Sequence, residues 1–114
     1  MAQLISRLIA TIANGAYLSD AVTLNGKQVA VIEMPAAWTA AVLTFQSSMD
    51  GANYFNVYDA DGNEVFIIAE AGRRIHVDIQ ALSQQKYIKI RSGLSVNCHS
   101  QAAQRLIYVE VWTA

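Results

Sequence analysis

The stretch from Trp38 to Ile68 decides the fold, and it reads WTAAVLTFQSSMDGANYFNVYDADGNEVFII. Three runs rich in β-branched and aromatic residues lie within it, at Ala40–Ser48, Tyr54–Tyr58 and Val65–Ile68. Asp50-Gly51 and Asp61-Gly62-Asn63 separate these runs. Asp-Gly between such runs is a strong hairpin signal, because Gly and Asp tolerate the positive φ of tight turns. The stretch therefore predicts three short antiparallel strands joined by two tight turns.

Alternation of side chains predicts which residues share a face in three of the strands. In the middle run, Tyr54, Asn56 and Tyr58 oppose Phe55 and Val57. In Arg73–Ile79, Arg73, Ile75, Val77 and Ile79 oppose Arg74, His76 and Asp78, whose polar face is expected to be solvated or at an interface. In Lys86–Arg91, Tyr87, Lys89 and Arg91 oppose Ile88 and Ile90.

The remaining segments differ in how clearly they indicate a structure. Strand patterns occur in AVTL at 21–24, before the turn Asn25-Gly26, in Gln28–Met34, which Pro35 ends, and in Arg105–Trp112. The apolar spacing of Gln3–Ala13 suits either a helix or a buried strand. We favour a strand, which would pair with the last strand. Gln80–Gln85 is expected to form one helical turn, and Ser92–Gln104 is expected to be a long loop.

The order of these segments predicts the architecture. Eight or nine strands at 8–12-residue spacing, with Gly and Asn turns between them, are typical of an antiparallel sandwich or barrel. Two sheets in which the terminal strands lie together would form a jelly roll. We therefore expect an all-β, single-domain antiparallel β-sandwich of about eight strands, jelly-roll-like, that spans residues 1–114. Trp38, in the crossover before the central strands, is expected to pack at the edge of the core.

Composition narrows the class of function. The 114 residues are 54% hydrophobic and 15% charged, against about 45–50% and about 25% in typical domains. Apolar residues in excess of what a core needs favour contact with another protein. With a net charge of -1 and no basic stripe, nucleic-acid binding is not expected. No apolar run reaches the roughly 18–20 residues of a membrane helix, so no membrane insertion is expected.

The first residues and the cysteine count bear on the compartment in which the chain is made. MAQLISRLIA lacks a basic segment followed by a cleavage site, so no secretory signal is expected. Cys98 is the one cysteine, so no intrachain disulfide can form, as is usual for proteins made in a reducing compartment. We expect synthesis in the cytoplasm.

Candidate catalytic and metal sites are weak. Asp59, Asp61 and Asn63 alternate as calcium ligands do, and Glu70 stands twelfth from Asp59, but the glycine is fourth instead of sixth, which favours a polar turn. His76, Cys98 and His99 cannot alone complete a four-ligand zinc site, and no motif supports Cys98 as a nucleophile. We expect no enzyme activity, no catalytic residues, no metal and no cofactor.

Aromatic residues offer an alternative function. On a β-sandwich, solvent-facing rings can stack on sugars, whereas most aromatic side chains in small sandwiches anchor a core or an interface. The candidates for a sugar-binding face are Trp38, Tyr54, Tyr58, Tyr87 and Trp112.

Most of the chain resembles a family of small β-sandwich virion proteins of tailed bacteriophages, of the head-decoration or cement type. The resemblance runs from about Asn14 to Val111 and is carried by MPAAWTAAVLTFQSSMDGANYFNVYDADGNEV, AGRRIHVDI, YIKIRSG and QAAQRLIYVEVW. Its most specific parts are W-T-A-A-x-L-T-F-Q-x-S-x-D-G at Trp38–Gly51, Y-D-x-D-G-x-E at Tyr58–Glu64 and I-K-I-R-S-G at Ile88–Gly93. These are patterns of strands and turns, so the resemblance transfers no active-site residue.

The resemblance implies a non-enzymatic structural protein that binds the outside of the capsid and stabilises it. Its partner would be the major capsid protein, its location the capsid surface of the virion after synthesis in the host cytoplasm, and its state a homo-oligomer. The terminal segments and Ser92–Gln104 are the expected contact regions, because loops and termini adapt to partners. The alternatives are a carbohydrate-binding module on the virion, a tail-associated virion protein, and a small hydrolase or metal protein that uses Cys98, His99 and His76.

Overall fold

The computed structural model describes residues 4–77, 82 and 84–113, and within them the regular elements are all β-strands. The strands are β1 Leu4–Ile12, β2 Val22–Thr23, β3 Gln28–Glu33, β4 Leu43–Ser48, β5 Phe55–Asn56, β6 Phe66–Ile67, β7 Arg74–His76, β8 Tyr87–Leu94, β9 Asn97–Cys98 and β10 Arg105–Thr113. Among the described residues, no helix has the length and apolar character needed to cross a membrane.

Two antiparallel sheets enclose one core. The four-stranded sheet has the order β1-β10-β3-β7, and the six-stranded sheet follows β2-β8-β4-β5, with β6 also on β4 and β9 on β8. If β5 and β6 count as one interrupted strand and β9 is set aside as the return arm of a hairpin with β8, the first strand pairs with the last, the second with the next to last, and so on inward. This winding is that of a jelly roll. The expected all-β, jelly-roll-like sandwich is confirmed.

The terminal strands form the longest pairing in the molecule. β1 and β10 are antiparallel in unbroken register from Leu4 opposite Thr113 to Ile12 opposite Arg105. The strand interpretation of Gln3–Ala13 is therefore correct for the described residues. Periodicity alone left a helix open, and the nine-residue partner strand decided in favour of a strand.

Alternation along the strands builds the core between the sheets. The six-stranded sheet contributes Phe45, Ile88 and Ile90, and the four-stranded sheet contributes Ile32 and Val109, all essentially inaccessible to solvent. The predicted alternation is confirmed in β8, and in β7 as far as Val77, which is buried while Arg74 and His76 are exposed. Asp78, Ile79 and most of the helical turn expected at Gln80–Gln85 lie outside the described residues.

The central stretch departs from its predicted arrangement in the second hairpin. The predicted tight turn forms, since the Val65 N–H donates to the Val57 carbonyl and the Asp59 N–H to the Asn63 carbonyl. The strands that flank it, β5 and β6, each pair with β4 instead of with each other, at Ser47 and Leu43 respectively. The residues between them form a narrow projection closed by the Tyr58–Glu64 bridge. Val57 and Phe55, which the alternation places on one face, differ in exposure: Val57 is buried, whereas Phe55 is exposed because β5 is a two-residue strand at the sheet edge.

Ser92–Gln104 is not the long loop that its composition predicted. β8 continues to Leu94, and β9 returns at Asn97–Cys98 to pair with it, so the segment begins as a tight hairpin. Gly93 makes this possible, because its φ is +94° and a Cβ there would lie 2.5 Å from the carbonyl oxygen of Asn97. Polar composition concealed the hairpin, because the strand residues here carry small or polar side chains.

Candidate interaction surfaces

A network of four charged side chains lies at the centre of the outer face of the four-stranded sheet. Each strand contributes one: Arg7 from β1, Glu110 from β10, Glu33 from β3 and Arg74 from β7. Arg74 donates to both oxygens of Glu110, at 2.8 and 2.7 Å, and to Glu33 at 2.5 Å. Arg7 donates to Glu110 at 2.9 Å and to Glu33 at 3.4 Å. The register places Arg7 opposite Glu110 and Glu33 opposite Arg74, with Glu33 diagonal to Glu110, so the sheet itself positions the network.

Glu110 is the most enclosed member of this network, with a side chain 15% exposed between two guanidinium groups. Hydrogen bonds from Arg74, then from Arg7, lower the pKa of Glu110 from 4.5 to about 2. Hydrogen bonds to Glu110 and Glu33 in turn raise the pKa of Arg74 above its ordinary value. The four charges cancel, so the face carries no net charge at its centre.

Apolar side chains flank this network on the two terminal strands. Ile5 is 76% exposed and lies opposite Trp112, while Ile9 is 48% exposed and lies opposite Tyr108. The Arg7 guanidinium lies 4.8 Å from the centre of the Tyr108 ring, which adds a cation–π contact. We call this the terminal-strand face, defined by the outward residues of β1 and β10. It combines exposed isoleucines with a neutralised charge cluster.

The free edge of β1 is open along most of its length. At Thr11 it is occupied, because the Thr11 N–H donates to Asp20 Oδ1 at 2.9 Å and its carbonyl accepts from the Asp20 N–H at 3.1 Å. Since edge-facing backbone groups alternate along an antiparallel strand, those of Ile5, Arg7 and Ile9 face the same edge. Within the described part of the chain, only β10 pairs with β1, on its other side.

A second surface lies at the end of the sandwich where β8 turns into β9. The exposed apolar side chains there are Tyr17, Leu94 and Val96, the last 89% exposed at the hairpin tip. The Ser92 N–H donates to the carbonyl of Tyr17 at 2.6 Å, which fixes the hairpin to the segment after β1. We call this the loop end, defined by Tyr17, Leu94 and Val96. It includes part of the expected contact region Ser92–Gln104.

Gln101 holds the loop end together and is a residue that sequence reasoning missed. Its side chain is buried, accepts from the Thr39 N–H at 2.9 Å, and donates to the Thr39 carbonyl at 3.0 Å and to Ser92 Oγ at 2.7 Å. Its backbone bonds to Gly15 and Ala16. It therefore links three separate segments of the chain. A glutamine in a polar segment gave no sequence signal for this position.

A third group of exposed apolar side chains lies along one edge of the six-stranded sheet. Phe55, Phe66 and Ile68 lie at or next to β5 and β6, the edge of the six-stranded sheet, and each is at least half exposed. Phe55 also lines a shallow cleft of about 390 Å³, together with Ser47, Ser48, Met49, Asp50, Asn53 and Gln85. The sequence predicted strands here and placed Phe55 on the same face as Val57, without indicating that Phe55 is exposed.

The five aromatic residues considered for sugar binding do not share one face. Trp38 packs against the core, as expected, and its indole N–H donates to the carbonyl of Ala41 at 3.1 Å. Trp112 lies on the four-stranded sheet and Tyr87 on the six-stranded sheet. Tyr58 is half exposed on the projection after β5.

Tyr54 lies beneath a lysine on the six-stranded sheet. The ammonium of Lys89 lies 4.4 Å from the centre of the Tyr54 ring, so that side chain covers one face of the aromatic group. Burial, followed by the nearby Tyr87 and Asp50, raises the pKa of Tyr54. A covered ring is a poor platform for a sugar.

The two Asp-Gly turns are closed by their own carboxylates. Asp50 accepts from the backbone N–H groups of Ala52 and Asn53, both at 2.8 Å, and the Asn53 bond above all holds the pKa of Asp50 well below its usual range. Asp59 accepts from the N–H groups of Asp61 and Asn63 at 2.9 and 3.0 Å.

The candidate calcium and zinc ligands named from the sequence do not lie together. Glu70, which calcium binding would require near Asp59, pairs with Arg73 instead. Of the three soft ligands, His76 lies on β7 of the four-stranded sheet, whereas Cys98 and His99 lie at β9 of the other sheet. Among the described residues, no group of three or more His, Cys, Asp or Glu side chains is placed to hold a metal ion.

Arg91 is a buried cation on the six-stranded sheet, and sequence reasoning placed it correctly on the polar face of β8 without indicating its burial. It donates to Thr44 Oγ1 and to Glu64, each at 3.3 Å, and also to Asn56. Glu64 in turn accepts from the Ser95 N–H at 3.1 Å. The ion pair thereby joins the projection after β5 to the β8–β9 hairpin.

Comparison of the chain with protein-family models, with curated proteins and with solved structures found no match.

Proposed function

We propose that this protein is a non-enzymatic virion component of a tailed bacteriophage that binds the outside of the capsid and stabilises it. The observation that carries the proposal is the exposure of large apolar side chains on the terminal strands and at the loop end. Exposed apolar patches on small proteins usually mark contacts with other proteins. The resemblance of Trp38–Gly51, Tyr58–Glu64 and Ile88–Gly93 to head-decoration proteins supplies the phage context.

The physical role would be adhesive. A protein that binds only the assembled shell shifts the assembly equilibrium toward that shell, and many copies add their contributions. The low charged content of the chain, 15% of its residues, suits a lasting contact, because charged groups are depleted at the centre of stable interfaces. The partner would be the major capsid protein.

Thermal disruption of shells tests this role. Shells of the phage that encodes the chain, prepared without the protein, should break open at a higher temperature once it is added back. Val96→Asp places a charge at the hairpin tip and should weaken this effect. The matched control is Met49→Asp, since Met49 is 73% exposed and follows β4 at the end that pairs with the start of β8, away from the hairpin tip. A shell that gains no stability from the wild-type protein contradicts the proposal.

Carbohydrate binding is the second candidate, favoured by one observation. Phe55 is 70% exposed beside a shallow cleft that also contains Ser47 and Asn53, and an aromatic ring next to hydroxyl and amide groups suits a sugar. A glycan array should then give hits that Phe55→Ala abolishes. An array without hits would leave the capsid and tail-associated positions as the remaining virion roles.

A further inference from the structure

The open edge of β1 is self-complementary. It presents the N–H and carbonyl groups of Ile5, Arg7 and Ile9, spaced symmetrically about Arg7, with an exposed isoleucine on each side. Such an edge is a template for another strand, and natural proteins usually cover or blunt it. Here Asp20 covers it at Thr11 and no other described residue does.

We propose that two copies of this chain pair through β1, antiparallel about a two-fold axis at Arg7. Ile5 of each copy lies opposite Ile9 of the other, and the two Arg7 residues lie opposite each other. Three edge residues on each copy then exchange backbone hydrogen bonds, as antiparallel partners do. The two four-stranded sheets become one sheet of eight strands, with the order β7-β3-β10-β1 continued by β1-β10-β3-β7 of the second copy.

Shifting the register toward the C-terminus of β1 satisfies fewer groups. Centring the pair at Leu8 would bring Ile5 opposite Thr11 of the second copy, whose edge groups Asp20 already occupies. The arrangement centred at Arg7 avoids this position. It also places both exposed isoleucines in cross-strand pairs, in which facing apolar side chains stabilise a sheet.

The charges at the axis permit this pairing. Like charges directly opposite each other destabilise a sheet. Each Arg7 guanidinium, however, is bound at 2.9 Å by Glu110 of its own copy, on the side away from the free edge. Arg7 also contacts Glu33. The two copies therefore meet with their arginines already neutralised.

The contact area predicts a weak dimer. The open part of β1 spans about seven residues and so about 24 Å, which over a two-layer sandwich corresponds to roughly 400 Å² per copy. Stable interfaces bury about 800 Å² per partner. The dissociation constant of the dimer in solution should thus be micromolar or higher. A shell that holds copies close together would favour the dimer, because it raises their effective concentration.

Sedimentation velocity over a concentration series tests the pairing without any capsid, so its outcome is separate from that of the proposed function. The mass should rise toward twice that of the chain at about 1 mM, and Ile9→Lys should remove this rise because an edge lysine blocks strand pairing. Leu106→Lys is the matched control, since Leu106 is on the same face but one strand inside the edge. It should retain the dimer. A monomer at all concentrations, or a dimer lost in Leu106→Lys, overturns the proposal.

A disulfide cross-link reports the register directly, even if a lysine variant fails to fold. In a Cys98→Ser background, Ile5→Cys mixed with Ile9→Cys should form a covalent dimer on oxidation, whereas either variant alone should form several-fold less. Facing residues of paired strands lie about 5.5 Å apart between Cα atoms, within the range of a disulfide. Equal cross-linking by each variant alone would overturn the register.

Discussion

Gly93 is a position at which both the backbone and the surroundings demand glycine. Its φ is +94°, and an added Cβ would lie 2.5 Å from the carbonyl oxygen of Asn97 and 2.9 Å from the backbone nitrogen of His99. We expect Gly93→Ala to lower the free energy of unfolding by about 2–4 kcal/mol, as measured by urea denaturation. Gly62→Ala is the control, because Gly62 also has positive φ but open space around it, and it should cost about 1 kcal/mol. Equal costs would show that the close approach is unimportant.

Glu110 makes the stability of the protein depend on acid pH. Its pKa is about 2 in the folded chain against 4.5 ordinarily, so the folded state binds fewer protons in this range. Its contribution is therefore fully present above pH 4.5 and is lost as the pH falls toward 2. We expect Glu110→Gln to lower the unfolding temperature at pH 7 and to flatten its decline between these pH values.

The matched control for Glu110→Gln is Glu70→Gln. Glu70 pairs with Arg73, and both side chains are more than half exposed, so water screens the pair. The unfolding temperature of Glu70→Gln should scarcely differ from that of the wild-type protein, both at pH 7 and between pH 4.5 and 2. If Glu70→Gln shifts stability as much as Glu110→Gln does, the charge network has no special role.

At the scale of single residues, the sequence predicted which face of a strand a side chain occupies, but not which distant segments bury it. Ile88 and Ile90 are buried as the alternation required, and Arg91 lies on the polar side as predicted. The burial of Arg91 and Gln101 was not predictable, because it depends on segments distant in the chain: Glu64 and Asn56 for the first, Thr39 for the second.

At the scale of elements, Gln101 is the connection between the β9–β10 segment and the segment before β4. We expect Gln101→Ala to cost about 2–3 kcal/mol, because Ser92 Oγ and the Thr39 backbone would lose buried hydrogen-bond partners. Chemical denaturation measures this cost. Gln104→Ala is the control, since Gln104 is exposed in the same segment, and it should change stability by less than about 0.5 kcal/mol. A similar cost for both variants would contradict the role given to Gln101.

The strands were predictable where hydrophobic residues alternate or accumulate, as in β1, β3, β8 and β10. The pairing of β5 and β6 was not, because an Asp-Gly turn indicates a reversal of the chain but not which strand each arm will join. β9 was also missed, since two polar residues beside Gly93 carry no strand pattern. In both cases the partner strand, β4 or β8, decided the structure.

At the scale of the whole molecule, the jelly roll presents the open edge of β1 and the loop end as separate surfaces. The edge of β1 is proposed to bind a second copy, which leaves the loop end free for a shell. The expected contact regions, the terminal segments and Ser92–Gln104, were chosen from the sequence because termini and loops adapt. The exposed Phe55, Phe66 and Ile68 were not foreseen as a group, because their exposure follows from the edge position of β5 and β6.

The most direct test of the proposed capsid-binding function is cosedimentation of the purified protein with tailed-phage shells prepared without this protein. We expect saturable binding at a fixed ratio of bound copies to major capsid subunits, because a decoration protein occupies equivalent positions on a symmetric lattice. That ratio would identify the symmetry axis it occupies. Failure to bind at any concentration, with the protein folded and the shells intact, would contradict the proposed function.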